Sequence, residues 1–399
     1  MAQTFAPRLR GNSTLRLVGA RPQGARSAEV VDPAFDRHTT GDQPPLWLDG
    51  RRMLALAVDR GSEYPVIAKP DSPTQTLHAG RHTATSISVA ADGRTAAVVR
   101  STTTEPAEVY RIDLVSEEAT QLTHLNEGWR HDVQTSSAQH LAVRTAPQVE
   151  VDTWIMPPHT LRAGRKYPVL LSIHGGPFGQ YGEAFFDEFQ VYAAAGYGVV
   201  FCNPRGSSGQ DSEFARALVG RLGEVDYEDV MAAFEAALKR MPWADHRRLG
   251  ILGGSYGGFL TSWAVGHTDR FAAACSERAV NDWYLMQGTS DIGATFNQRY
   301  LGERATTYDD VDAVLRQSPT TYARDIRTPL LILHAEDDLR CPISQAEALF
   351  VVLRKLRRDV EFVRVPDEDH ELSRNGSPAH RVERFRVILD FFARKMPPG

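Results

Sequence analysis

The stretch "LGILGGSYGGFL", residues 249–260, joins a short apolar run to a glycine-rich turn and the start of a helical pattern. Its centre, Gly253-Gly254-Ser255-Tyr256-Gly257, matches the G-x-S-x-G pattern of a sharp strand-to-helix turn that raises its serine above a sheet. The glycines let the strand and the helix pass closely. The stretch therefore predicts an α/β fold with Ser255 at the carboxyl end of a strand. A glycine-rich turn that binds phosphate or only packs is the alternative.

The chain from Tyr167 onward alternates short apolar runs with amphipathic helical patterns. Runs such as "YPVLLSIH", "GYGVVFCN" and "TPLLILHA" are typical of strands buried on both faces. The segments "DYEDVMAAFEAALKRM" and "HRVERFRVILDFFARKM" carry apolar residues at helical spacings of three and four. This alternation predicts a doubly wound, mostly parallel sheet over residues 131–399, with its chemistry at the carboxyl ends of the strands.

Residues 1–130 have a different pattern, rich in Thr, Val, Pro and Gly, with short alternating runs such as "RMLALAV" and "EVYRIDL". That pattern predicts antiparallel strands joined by tight turns. The turns Asp49-Gly50-Arg51 and Asp92-Gly93-Arg94 each precede an apolar strand, and their separation falls in the ~40–45-residue period of propeller blades. The region therefore predicts a partial β-propeller of about three blades. Two unrelated D-G turns are the alternative.

The bulk composition excludes several classes of function. The 399 residues carry a formal net charge of −5, so no basic surplus indicates nucleic acid or an anionic membrane as a partner. Cys202, Cys275 and Cys341 lie far apart, without the spacing of a disulfide framework or a zinc site. The N-terminal "MAQTFAPRLRGNSTLRLVG" lacks the apolar run of a signal peptide, and nowhere do ~18 apolar residues run together. These features predict a cytoplasmic protein.

A serine on such a turn becomes nucleophilic when a histidine removes its proton, and in this fold the chain order is serine, acid, histidine. His370 lies in a loop after the run "VEFVRVP", whereas His380 lies where a helix starts. His370 is therefore the predicted base, with a solvated loop histidine or a metal ligand as alternatives. The acid should follow the run "PLLILHA", where spacing leaves three candidates open: Glu336, Asp337 and Asp338.

Acyl transfer also needs two backbone amides that bind the negative charge developing on the carbonyl oxygen. One is the amide of the residue after the serine, Tyr256. The loop in "LLSIHGGPFG" offers the other, the amide of Gly176, because Gly175 and Gly176 carry no side chain that blocks close approach. A glycine turn without function is the alternative.

Several motifs resemble the prolyl oligopeptidase family of serine peptidases, in particular its acylaminoacyl peptidase branch. They are "LLSIHGGP", "NPRGSSG", "LGILGGSYGGFLTSWAVGHTDRF", "RTPLLILHAEDDLRCPISQAE" and "DEDHELSRNGSPAHR", and the likeness covers about residues 130–395. The resemblance implies an α/β-hydrolase fold with Ser255 as nucleophile, Asp338 as acid and His370 as base. It also implies the amides of Gly176 and Tyr256 as oxyanion donors. Ala335 stands where the family usually has glycine.

The resemblance further implies a covalent acyl-enzyme and no metal or organic cofactor. The family places a seven-bladed propeller before the hydrolase domain, and about three blades would leave strand edges unpaired. We therefore expect a truncated form of a longer peptidase, or a chain that closes its edges as a homo-oligomer. Candidate substrate contacts, each with a core or ion-pair role as the alternative, are Phe178, Arg205, Trp283, Tyr284 and Arg340.

The function that the resemblance implies is a serine peptidase that acts on short peptides and releases N-acylated amino acids. A carboxylesterase is the first alternative, because the same triad and oxyanion hole serve esters. A non-catalytic assembly module is the second alternative. The presence of Ser255, Asp338 and His370 together argues against this second alternative.

Overall fold

The computed structural model describes residues 12–13, 15–17, 29–40, 43–77 and 80–398. The sequence predicts no signal peptide in residues 1–19. Most of these residues lie outside the described ranges. The chain divides into two compact units. One comprises the described residues up to Ser137 with segments 181–186 and 207–216, and the other comprises residues 138–180, 187–206 and those from 217 onward. The domain boundary after residue 130 stays a prediction.

The first unit is built from short strands that pair almost entirely antiparallel. Their bounds are β1 Arg16–Leu17, β2 Glu29–Val30, β3 His38–Thr39, β4 Leu46–Trp47, β5 Met53–Asp59, β6 Ser62–Ala68, β7 Gln75–Thr76, β8 Thr83–Val89, β9 Thr95–Ser101, β10 Glu108–Asp113 and β11 Ala119–Gln121. β1 pairs with β2, and β3 to β11 belong to one sheet. Within it, β4–β7 and β8–β11 form two consecutive four-stranded antiparallel repeats.

The two D-G turns occupy equivalent places in these repeats, before β5 and before β9. In each turn the aspartate Oδ1 accepts hydrogen bonds from the amides two and three residues later. Gly93 has a φ of 63°, and a Cβ there would lie 2.6 Å from the carbonyl oxygen of Leu48. The second turn therefore packs directly on the first, as stacked repeats require. The number of about three blades stays a prediction.

Strand β5 is buried on both faces because it lies between two apolar clusters. Leu54 and Leu56 belong to one cluster together with residues of β8 and β9. Met53 and Ala55 belong to the other, together with residues of β6. Successive side chains along a strand point to opposite faces, so the alternation supplies both clusters. The region thus buries its sheet faces in the manner of propeller blades.

The second unit contains an eight-stranded, mostly parallel sheet. Its strands are β12 Gln139–Ala146, β13 Val149–Met156, β14 Tyr167–Ile173, β15 Gly198–Asn203, β16 Ala244–Gly254, β17 Ala273–Glu277, β18 Leu330–Ala335 and β19 Val360–Val365. They lie in the order β12-β13-β15-β14-β16-β17-β18-β19. β12, β13 and β15 pair antiparallel, and the pairs from β15 to β19 are parallel. The predicted α/β-hydrolase sheet is confirmed.

The helices alternate with these strands. Their bounds are α1 Glu127–Asp132, α2 Asp187–Ala194, α3 Ser212–Arg216, α4 Val225–Leu238, α5 Tyr256–Val265, α6 Trp283–Thr289, α7 Gly293–Tyr300, α8 Val311–Arg316, α9 Ser344–Lys355, α10 Leu372–Asn375 and α11 Pro378–Lys395, with a 3-10 helix at Pro319–Tyr322. α1 and α3 belong to the first unit. In the second unit α2, α4, α5, α9 and α11 pack on the sheet. Across the described ranges, no helix has both the length and the apolar character needed to cross a membrane.

Candidate active site

Ser255 stands at the turn between β16 and α5, where the sequence predicts it. Its backbone has a φ of 61° and a ψ of −120°, a strained conformation for a residue with a side chain. Its amide donates a 3.0 Å hydrogen bond to the carbonyl oxygen of Glu277, the last residue of β17. The turn therefore holds the serine at the carboxyl end of the sheet.

The glycines on either side of Ser255 are required by close backbone contacts. A Cβ on Gly257 would lie 2.1 Å from the carbonyl oxygen of Ile173, the last residue of β14. A Cβ on Gly253 would lie 2.6 Å from the backbone of Gly257. Helix α5 can pass this close to the strands only because these side chains are absent.

Ser255, His370 and Asp338 form a hydrogen-bonded line. His370 Nε2 lies 3.0 Å from Ser255 Oγ, and His370 Nδ1 lies 2.7 Å from Asp338 Oδ2. Asp338 follows β18 and His370 follows β19, so two neighbouring parallel strands deliver them to the same edge of the sheet. Since an ionised carboxylate can only accept, His370 donates from Nδ1, and Nε2 is left to accept from the serine hydroxyl.

The carboxylate of Asp338 is enclosed by hydrogen-bond donors. Its Oδ1 accepts from the amide of Cys341 at 2.8 Å, and His334 Nε2 lies 3.4 Å from Oδ2. Burial opposes ionisation, but hydrogen bonds from His334 and His370 outweigh it and hold the pKa of Asp338 well below its ordinary value. Asp338 is therefore an anion throughout the neutral pH range.

The other two acids that spacing leaves open do not lie on this line. Glu336 is exposed and pairs with Arg364 at 2.8 Å. Asp337 is exposed as well, whereas Asp338 is 2% exposed. Burial and the hydrogen bond to His370 therefore distinguish Asp338 from Glu336 and Asp337, although all three residues carry a carboxyl group.

Glu368, one of the acids around His370, bonds to other partners. Glu368 accepts from the amide of Ser377 at 2.9 Å and pairs with His380 Nδ1 at 2.7 Å. His380 lies in the first turn of α11, as the sequence predicts. Among the residues that the structure describes, no group of three or more His, Cys, Asp or Glu side chains is arranged to hold a metal ion.

The loop after β14 brings two glycines beside the serine. A Cβ on Gly175 would lie 3.7 Å from the Cβ of Ser255, and Gly176 has a φ of 151°, which favours glycine. His174 donates from Nδ1 to the Gly175 carbonyl at 2.8 Å, and burial lowers the pKa of His174 to about 4. A neutral histidine thus holds this loop. The amides of Gly176 and Tyr256 stay the predicted oxyanion donors.

Two of the predicted substrate contacts have the surroundings of structural residues. Arg205 donates through its Nε and Nη2 to the fully buried Asp229 at 2.7 and 2.9 Å. Trp283 is 1% exposed, donates from Nε1 to the carbonyl of Gln317 at 2.8 Å and stacks on Phe296. These surroundings favour the alternative roles, a buried ion pair and a core residue.

The other three predicted substrate contacts have more accessible side chains. Arg340 is exposed and pairs through two nitrogens with Asp291, at 2.8 and 3.1 Å. Tyr284 is exposed in the first turn of α6. Phe178 is half-buried in the loop that follows Gly176. Their contact with a substrate stays a prediction.

Two further residues, which no sequence motif indicated for this place, lie close to the serine. Cys341 is buried, and burial raises the pKa of its thiol. A hydrogen bond with the nearby Ser255 hydroxyl lowers that pKa, but by less. Arg278 directly follows β17, and its guanidinium lies against Gly254, where a Cβ would come 2.8 Å from Cζ. Their places in the chain are the signal that could have identified both residues. Cys341 lies in the same loop as Asp338, and Arg278 lies at the end of a strand.

Two solved structures of acylaminoacyl peptidases are similar to this chain in fold. The acylaminoacyl peptidase of Pyrococcus horikoshii superposes with a TM-score of 0.86 at 30% identity, covering 94% of this chain and 58% of that one. An acylaminoacyl peptidase in complex with Z-Gly-Gly-Phe-chloromethyl ketone superposes with a TM-score of 0.85, at the same identity and coverage. The fold resemblance therefore extends over nearly the whole chain.

Curated proteins match over a smaller share of their own length. The uncharacterized peptidase YuxL of Bacillus subtilis is 39% identical over 352 residues, which are 88% of this chain and 53% of YuxL. The acylamino-acid-releasing enzyme of Arabidopsis thaliana is 31% identical over 57% of this chain and 30% of that protein. The chain thus spans about half or less of these relatives. The sequence profile of the prolyl oligopeptidase family matches residues 183–398. The resemblance is confirmed: this chain belongs to the prolyl oligopeptidase family.

Proposed function

We propose that this protein is a serine peptidase that hydrolyses short peptides through Ser255, His370 and Asp338. The observation that carries the proposal is the unbroken hydrogen-bonded line from Ser255 Oγ through His370 to Asp338. The strained backbone of Ser255 supports it, because strain of this kind accumulates at reactive turns. Membership of the prolyl oligopeptidase family supports the class of reaction.

In the first half of the reaction, His370 Nε2 takes the proton of Ser255 as Oγ attacks the scissile carbonyl carbon. The amides of Gly176 and Tyr256 bind the negative charge that moves onto the carbonyl oxygen. Asp338 stabilises the imidazolium through its Nδ1–H. When the tetrahedral intermediate collapses, the C–N bond breaks, the leaving amine takes the proton from His370, and the acyl group stays on Ser255 as an ester.

In the second half, water replaces the amine. His370 takes a proton from the water as its oxygen attacks the ester carbonyl, and the same amides bind the oxyanion. Collapse breaks the bond to Ser255 Oγ, which recovers its proton from His370. The product leaves as a carboxylic acid, and these steps use protein groups and water alone.

We propose N-acylated amino acids as the released product. Two solved structures, with TM-scores of 0.85 and 0.86, are of acylaminoacyl peptidases, and one of them is in complex with Z-Gly-Gly-Phe-chloromethyl ketone. This chain covers 58% of those chains, so the substrate class is part of the proposal.

A fluorophosphonate probe tests the nucleophile. We expect the probe to label the tryptic peptide that contains Ser255, and we expect no label in Ser255→Ala. Asp338→Asn should be labelled much more slowly, because the histidine then loses the anion that orients it. A folded wild-type protein that takes no label would contradict the proposal and favour a non-catalytic assembly module.

A panel of three substrates tests the class of bond and the blocked amine. The panel comprises an acetyl-aminoacyl anilide, the same anilide with a free amine, and a nitrophenyl ester. We expect the acetylated anilide to give the higher kcat/KM of the two anilides. Preference for the free amine would contradict release of acylated residues, and turnover of the ester alone would indicate a carboxylesterase.

We also propose that the chain associates with further copies through the edges of its propeller sheet, and that it works in the cytoplasm. β11 forms one side of the described sheet, and Leu122 and Leu125 beside it are 54% and 81% exposed. The three cysteines are buried and free, which suits a reducing compartment. Light scattering after size exclusion should give the mass of more than one chain. A monomer across the concentration range would contradict the association.

A further inference from the structure

Tyr256, whose amide we propose as an oxyanion donor, has a side chain that is firmly anchored. The residue is 4% exposed, and its phenol donates a 2.7 Å hydrogen bond to Asp226 Oδ2. Asp226 lies in the first turn of α4, and Tyr256 is the first residue of α5. The bond therefore joins the starts of two helices, beside the turn that carries Ser255.

Asp226 is a fully buried carboxylate, and in the described part of the chain its hydrogen-bond donors are all neutral. Its Oδ1 accepts from the amides of Gly223 and Tyr227 at 2.8 and 3.0 Å, and its Oδ2 accepts from the phenol. The nearby Arg205 bonds to Asp229 instead. Burying a carboxyl group without a cation is costly, and burial accordingly raises the pKa of Asp226 to about 6. The steps of the reaction do not use this group.

The ring of Tyr256 also borders the second proposed oxyanion donor. Its centroid lies 6.1 Å from that of His174, on the loop after β14. His174 donates to the carbonyl of Gly175, and Gly176 is the next residue. One anchored ring thus lies next to both segments that supply the proposed donors, so a shift of the ring would disturb both.

We propose that Asp226 is a positioning residue for the oxyanion hole: its carboxylate holds the ring of Tyr256, and through it the amides of Tyr256 and Gly176. This inference rests on the proposed function. Oxyanion donors work only at hydrogen-bond distance from the developing charge, and a misplacement of about 1 Å can cost on the order of a hundredfold in rate. A fixed phenol prevents such a shift.

Three single variants and one double variant test the role of the bond. Tyr256→Phe removes the donor, and Asp226→Ala removes the acceptor. We expect each to lower kcat on the acylated anilide about tenfold while KM stays within about twofold, because the oxyanion forms only after binding. The double variant should lose no more than either single variant, because both remove the same bond. Asp226→Asn keeps the shape of the side chain and one of its two acceptor oxygens, so it should lose less kcat than Asp226→Ala.

A transition-state analogue separates positioning from general destabilisation. A peptide aldehyde forms a hemiacetal oxyanion with the nucleophile, so its affinity should fall in Tyr256→Phe by the same factor as kcat/KM. Tyr322→Phe is the matched control, since it removes a phenol hydroxyl that donates to the carbonyl of Arg316 at 3.0 Å and bonds neither Asp226 nor Tyr256. It should leave kcat unchanged.

Unchanged kcat in Tyr256→Phe and Asp226→Ala, or losses that add in the double variant, would overturn the inference. If Asp226→Ala fails to fold, Tyr256→Phe decides alone, because it keeps the buried ring. A wild-type protein that takes no fluorophosphonate label would instead defeat the proposed function. The two failures are therefore distinguishable.

Discussion

Gly257 lies so close to Ile173 that a Cβ on the glycine would stand 2.1 Å from the carbonyl oxygen of Ile173. A backbone atom of a central strand cannot move aside as a flexible side chain can. We expect Gly257→Ala to lower the free energy of unfolding in urea by about 3 kcal/mol or more. Activity should fall with it, because α5 can relieve the clash only by shifting the turn at Ser255.

The control for this change is Gly288→Ala in α6, where a Cβ would meet nothing within 4 Å. Alanine favours a helix by up to about 1 kcal/mol over glycine, so this variant should be as stable as the wild type or slightly more stable. A Gly257→Ala protein that unfolds at the wild-type urea concentration would show that the contact is not close.

Asp338→Asn should abolish most of the activity without unfolding the protein. An amide in place of the carboxylate can no longer stabilise the imidazolium, and it favours the wrong tautomer of His370, so we expect kcat to fall by about 10⁴. Asp337→Asn is the matched control, since Asp337 is the adjacent, exposed acid. Steady-state kinetics should find it within about twofold of the wild type. A large loss in Asp337→Asn with a small one in Asp338→Asn would reverse the assignment.

Arg384 is a buried cation between two carboxylates, and its removal should be strongly destabilising. It bonds Glu277 at 2.5 and 2.7 Å and Glu188 at 2.9 Å. Arg384→Met would leave both acids buried without their cation, which should cost about 3–5 kcal/mol of unfolding free energy. Activity should fall too, because the carbonyl of Glu277 accepts from the amide of Ser255.

Arg386→Met is the control on the same helix. Arg386 is 73% exposed in its side chain and pairs with Glu383 at 3.3 Å, an exposed pair of little net value. Its urea midpoint should match that of the wild type. Equal midpoints for Arg384→Met and Arg386→Met would show that the buried pair adds nothing to stability.

Asp226 should make the stability depend on pH between about 4 and 6. Burial raises its pKa from 3.8 to about 6, so in this window the folded protein binds a proton that the unfolded chain has released. The free energy of unfolding therefore falls as the pH rises through the window. The phenol of Tyr256 faces the carboxyl group of Asp226, and the charged groups of Arg205 and Asp229 lie nearby.

Comparison with Asp226→Asn isolates this contribution. The unfolding free energy of the wild type minus that of the variant should fall by about 2–3 kcal/mol between pH 4 and 7, and should be flat above pH 7. Urea denaturation at each pH measures it. A difference that does not change with pH would mean that Asp226 titrates alike in the folded and unfolded protein.

Local sequence was sufficient for the features that depend on neighbouring residues. The turn at Ser255 follows from a strand, a helix and the glycines between them, because a Cβ on Gly253 would clash with the backbone of Gly257 in the same turn. The D-G turns at Asp49 and Asp92 fold alike because each aspartate caps the amides that follow it. Chain order left His370 and His380 as candidate bases, and the helical pattern that starts at His380 favoured His370.

The tertiary structure decided whatever depends on burial and on residues far apart in the chain. Spacing could not choose among Glu336, Asp337 and Asp338, because the choice requires the histidine after β19 to reach the loop after β18. The bond between Asp226 and Tyr256 joins two helices 30 positions apart. Asp226 and Asp229 lie on the buried face of α4, and their partners depend on how helices pack over a sheet. Burial decides whether such a group is ionised and which donors it can reach. These side chains become buried only when the helices pack on the assembled sheet.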